Sequence, residues 1–123
     1  MDNKKLSIRP VLNLASKSVD EDFQNRTLRP ILKLQHSIIL QVFTHFALKH
    51  KTDVSALTVD KLESYVGSIT KKNTVLRNQL LGLAIGQFTE EEFEVYKQND
   101  VEFNKRILTM MGQRITDSHH KNR

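Results

Sequence analysis

Thr27-Leu-Arg-Pro-Ile-Leu-Lys-Leu-Gln-His-Ser-Ile-Ile-Leu-Gln-Val-Phe-Thr-His-Phe-Ala-Leu-Lys49 is the stretch that decides the fold. Its apolar residues Leu28, Ile31, Leu32, Ile39, Val42, Phe43 and Phe46 follow the i, i+3, i+4, i+7 spacing of one helical face. Leu34, Ile38 and Leu40 widen that stripe beyond half the circumference. The spacing predicts one helix over 28–48 at the centre of a helical core. Thr27 is its expected N-cap, and Pro30 falls in the first turn, where a missing N–H costs little. Lys49, His50 and Lys51 lie at the C-terminal end, where cations suit the helix dipole.

Towards the N-terminus, residues 1–17 show no helical period and read as an extended arm, with Ile8, Val11, Leu12 and Leu14 available to lie on the core. Ser18-Val-Asp-Glu21 fits a capping box that opens a short helical turn. Towards the C-terminus, 52–57 reads as a loop and Thr58 as the cap of a second helix with the apolar face Leu62, Tyr65, Val66, Ile69. Asn73 is the expected cap of a third helix, Thr74 to Phe88, in which Gly82 and Gly86 share one side, read as a packing notch or else as a hinge or point of ligand approach. Thr89-Glu-Glu-Glu92 is the clearest helix start in the chain. A second start signal at Asn99 leaves two readings of 90–116, one kinked helix or two. The polar, basic residues 117–123 read as a disordered tail. No strand pattern competes. The expectation is an all-α domain over 18–116, a compact bundle of four to five helices, with the arm at 1–17.

At 123 residues one domain can bury about two thirds of its unfolded surface without a staple. There are no cysteines, which excludes disulfides and thiolate metal sites. No window approaches the ~20 apolar residues of a membrane span, and no apolar signal core follows the basic start, so the expected location is cytoplasmic. The net charge of +5 invites nucleic acid, but its distribution argues against it. By segment the balance is +1 over 1–27, +3 over 28–57, +2 over 58–88 and −1 over 89–123, with no dense basic run.

The standard catalytic, phosphate-loop and metal motifs are absent, and no cofactor or metal site is expected. The informative residues are polar ones inside apolar stripes. Gln35 falls at the centre of the main helical face, and Gln87 in the line of Leu76, Leu80 and Leu83. If the last helix is continuous, Asp100, Asn104 and Arg114 fall on the face of Phe93, Tyr96, Phe103, Ile107 and Met111. A buried polar group without a partner costs about 1–3 kcal/mol, so these residues need one another, backbone or water. A register-fixing network is the plain reading; a polar ligand pocket built from Gln35, Gln87, Asn104 and Arg114 is the functional one. A helix-turn-helix over the second and third helices fits poorly, because its connector, 67–73, is longer than the usual turn.

Phe23-Gln-Asn-Arg-Thr-Leu-Arg-Pro-Ile-Leu-Lys-Leu-Gln35, Leu83-Ala-Ile-Gly-Gln-Phe-Thr-Glu-Glu-Glu-Phe93 and Glu102-Phe-Asn-Lys-Arg-Ile107 together resemble a family of short uncharacterised all-helical bacterial proteins, some labelled glyoxalase. The resemblance spans 20–116 and implies an all-helical fold. A glyoxalase label would imply paired βαβββ modules and a divalent metal held by His and Glu. This chain carries neither pattern, so the label reads as a misassignment and no catalytic residue is carried over. The expectation is a small non-catalytic helical interaction protein. The wide apolar arcs of its first, third and last helices admit a homodimer, and nucleic acid and membrane are not expected as partners.

Overall fold

Four helices of this chain start at a side chain that accepts a backbone N–H three residues on. Ser18 accepts from Glu21 at 3.0 Å, Thr58 from Lys61 at 3.3 Å, Asn73 from Leu76 at 3.0 Å and Thr89 from Glu92 at 3.2 Å. The computed structural model describes residues 2–10 and 18–121. In order these form α1 (Asp2–Ser7), α2 (Val19–Phe23), a π-helical turn (Gln24–Leu28), α3 (Arg29–Leu34), α4 (His36–Lys49), a 3₁₀ turn (Val54–Ala56), α5 (Val59–Lys72), α6 (Thr74–Ile85), α7 (Glu90–Lys97) and α8 (Asp100–Lys121). Taking α2, the π turn and α3 as one run gives seven helices and no strand among the described residues. The all-α class stands, and the expected count of four to five is too low.

The core lies where α8 packs along α5 and meets α4 and α6. Leu28, Ile31, Leu32, Ile39, Phe43, Leu62, Leu76, Leu80, Ile107, Met111 and Ile115 are sealed from solvent within it. Burying one such side chain contributes about 1.5–3 kcal/mol. At one end Phe23 meets Phe88 and Phe103 at ring separations of 5.6 and 4.6 Å, and Phe88 meets Tyr96 at 5.5 Å. At the other, Phe43 meets Tyr65 at 6.2 Å and His119 at 5.6 Å, both edge to face.

The helix expected over 28–48 is two. Pro30 has no N–H to return to the carbonyl of Arg26, and its ring would clash there in a regular helix. The chain widens into the π turn instead, and the Arg29 N–H reaches back to the Gln24 carbonyl. Thr27, expected as a cap, is buried inside that turn. The second break is at Gln35, whose φ of −91° and ψ of 7° leave the α region. Its Nε2 donates to the Leu83 carbonyl at 3.2 Å, one of the last carbonyls of α6 that no helical N–H can reach.

Other boundaries also move. Residues 2–7, expected as extended, are the helix α1; the arm's Val11, Leu12 and Leu14 lie outside the described residues. The 90–116 stretch divides at Gln98 and Asn99 into α7 and α8, and α8 continues through 117–121, where a disordered tail was expected. Gly82 and Gly86 form no packing notch. Both are exposed, a Cβ at Gly82 would meet nothing within 4 Å, and Gly86 is the C-cap of α6. The connector expected over 67–73 is helical as far as Lys72, so Asn73 alone joins α5 to α6.

Candidate functional site

The four polar residues of the expected pocket occupy four separate environments. Gln35 ties α3/α4 to the end of α6 through the Leu83 carbonyl. Asn104 accepts the Tyr96 hydroxyl at 2.6 Å, closing α7 onto α8. Burial raises the Tyr96 phenol above its usual range, against the pull of the Asn104 bond. Gln87 lies in the α6–α7 connection, its main-chain carbonyl accepting from Arg9 Nη2 at 2.6 Å and its side-chain Oε1 buried without a partner. Arg114 alone lines a sizeable cleft. They do not converge on one pocket.

Around Gln87 the structure builds a polar latch that the sequence pattern does not show. Arg9, buried at 8% exposure, forms a forked ion pair with Glu92, Nη1 to Oε2 at 2.6 Å and Nη2 to Oε1 at 2.8 Å. Glu92 also accepts the Thr27 hydroxyl at 3.0 Å and, as the far half of its capping box, the Thr89 N–H at 2.8 Å. Burial alone would raise the Glu92 carboxyl; the bonds from Arg9, Thr89 and Thr27 and the Arg9 charge outweigh it and hold the group below the ordinary carboxylate value. Lys5 Nζ meets the Phe88 carbonyl at 3.0 Å, and Asp2 accepts the Glu90 N–H at 3.2 Å. Thus α1 is pinned to the α6–α7 junction. Apart from Arg9 Nε and Gln87 Oε1, which are buried without a partner, these groups find their partners within the chain, which marks a structural hub.

The cleft beside Arg114 is different. The π turn with α3 and the start of α4 forms one wall, and α8 forms the other, around about 580 Å³. From α8, Arg106, Met110, Gln113, Arg114 and Asp117 face it, the i, i+4, i+7, i+8, i+11 stripe of a single helical face. Arg29 and His36 face them from the other wall. Among the described residues none of the three arginines has a carboxylate partner: Arg29 Nε donates to Asn25 Oδ1 at 3.0 Å, and Arg114 Nη1 lies 3.3 Å from His36 Nδ1. Burial, and then the charge of Arg29, push the Arg114 guanidinium below its ordinary value. Guanidinium groups only donate, so His36 Nδ1 accepts, and the ring's remaining N–H is at Nε2. The cleft is therefore rich in donors and positive.

Sequence reasoning found Arg114 there and missed Arg29, Arg106 and His36. The α8 stripe becomes readable once 106–117 is known to lie within one helix, Asp100–Lys121. The opposite wall was not, because the π turn shifts the register that would place Arg29. Among the described residues no group of three His, Asp or Glu side chains could hold a metal, and no helix is long and apolar enough to cross a membrane. Compared with known proteins, the chain matches no family model, no curated protein and no solved structure.

Proposed function

We propose that this protein is a small non-catalytic interaction protein that docks an acidic group of its partner in the cleft between α3/α4 and α8. The observation that carries this is the three guanidinium groups of Arg29, Arg106 and Arg114 on one cleft without an ion-pair partner among the described residues. Like charges held together in a partly desolvated site repel, and an anion removes that cost. The two side chains best suited to act as a base there are already engaged, His36 by Arg114 and Asp117 by Gln113 Nε2 at 2.9 Å. That supports recognition over catalysis. A fluorescein-labelled glutamate-rich peptide tests the reading by anisotropy. Binding that weakens with added salt, and weakens further in Arg106→Gln and Arg114→Gln, is expected. Wild-type protein that binds no acidic peptide even at low ionic strength refutes it.

A further inference from the structure

The charges in the cleft say more than that it prefers an anion. Within the cleft three guanidinium groups face one carboxylate, Asp117, an excess of +2 before any contribution from His36; the carboxylates of Asp20, Glu21 and Glu102 line the adjoining cleft that Arg29 and Arg106 also border. A single carboxylate would neutralise half of that excess. A phosphomonoester, at about −1.5 to −2 at neutral pH and with three acceptor oxygens, neutralises nearly all of it. The donors match as well: planar guanidinium forks suited to paired phosphoryl oxygens, the Nε2–H that the Arg114 contact leaves on His36, and the Thr109 and Ser118 side chains on the same cleft.

We infer that the cleft of Arg29, Arg106 and Arg114 is a phosphomonoester site, selective for a phosphorylated side chain of a partner over an unmodified acidic one. This rests on the cleft being the docking site proposed above. Asp117 weakens the site for any anion, because its carboxylate opposes the ligand and sets the excess at +2. Arg106 is exposed and has no partner among the described residues, so its replacement probes the ligand without disturbing the core.

The experiment compares a labelled peptide bearing one phosphoserine with its phosphoserine→Glu counterpart, using O-phosphoethanolamine as competitor. The phosphopeptide is expected to bind at least about tenfold more tightly than the Glu peptide, the factor carried by roughly 1.4 kcal/mol. Arg106→Gln should remove most of that advantage, and Asp117→Asn should tighten both peptides. Lowering the pH below the second phosphate pKa of about 6 should shrink the phosphopeptide's lead as the dianion takes up a proton. Displacement by O-phosphoethanolamine is expected, and its strength relative to the peptide tells a partner's side chain from a small ester as the source. Equal affinity of the two peptides overturns the phosphomonoester assignment while leaving the acidic-group reading intact. Binding of neither removes both.

Discussion

Glu92 accepts four hydrogen bonds, two on each carboxylate oxygen, from Arg9, Thr27 and the Thr89 backbone. Its sequence position announced only the capping box; the other donors come from 65 and 83 residues away and no local pattern points to them. Breaking a fully buried ion pair by removing one charge costs about 3–5 kcal/mol. The Glu92 side chain keeps 16% exposure, so Glu92→Gln should cost somewhat less, roughly 2–4 kcal/mol by urea denaturation. The sign with pH follows from its lowered carboxyl. The contribution is complete above the unfolded-state pKa and is lost as pH falls through the lower folded-state value. Wild-type protein should therefore lose more stability between about pH 7 and pH 3 than Glu92→Gln does. Equal losses would mean that other carboxylates dominate acid unfolding. Gly82 argues the opposite direction: it lies inside α6 with open space where a Cβ would go. Gly82→Ala should stabilise by about 0.5–1 kcal/mol, read as a rise in the urea midpoint at unchanged slope. A loss of stability would show that another surface packs on α6 there.

At the scale of elements, caps were the legible signal and interruptions were not. Ser18, Thr58, Asn73 and Thr89 start their helices as their side-chain chemistry dictates. The 28–48 stretch misleads because its apolar period runs straight through Pro30 and Gln35. Periodicity reports which residues face the core, and both halves do bury that stripe. It cannot report that a π turn and a sharp bend divide the backbone beneath it. The end of α4 follows known chemistry in an unexpected residue. The Thr52 N–H returns to the Ala47 carbonyl at 2.9 Å, a Schellman closure that needs a left-handed residue, and Lys51 takes that role at φ 58°. A side chain there is strained where glycine is not. Lys51→Gly should therefore raise stability by about 0.5–1 kcal/mol despite adding freedom to the unfolded chain, as checked by thermal unfolding. A lowered Tm would show that the Lys51 side chain makes compensating contacts along α4.

For the whole molecule, the sequence made the apolar core visible and left the candidate site half hidden. Core residues repeat at helical spacing, so their faces are written locally. The cleft is made by two elements some 80 residues apart, Arg29 and His36 against Arg106 and Arg114, and only tertiary packing brings them together. The same packing bears on self-association. A homodimer is motivated by apolar arcs wider than one flanking helix and an arm can cover. Within one chain those arcs close on one another: α4 and α6 meet, and α8 meets both and α5. The large apolar side chains left exposed, among them Leu6, Val19, Ile38, Leu48, Val75 and Val101, come one or two from each of several helices. Exposures spread thinly over many helices are ordinary on monomers, whereas a stable dimer interface draws on about 800 Å² per subunit. Light scattering coupled to size exclusion is therefore expected to return the monomer mass of 14.3 kDa across the accessible concentration range. A mass that climbs towards twice that value with concentration would restore the homodimer. Loss of that climb in Ile38→Lys or Leu48→Lys would then place its interface on α4, beside the wall that carries His36.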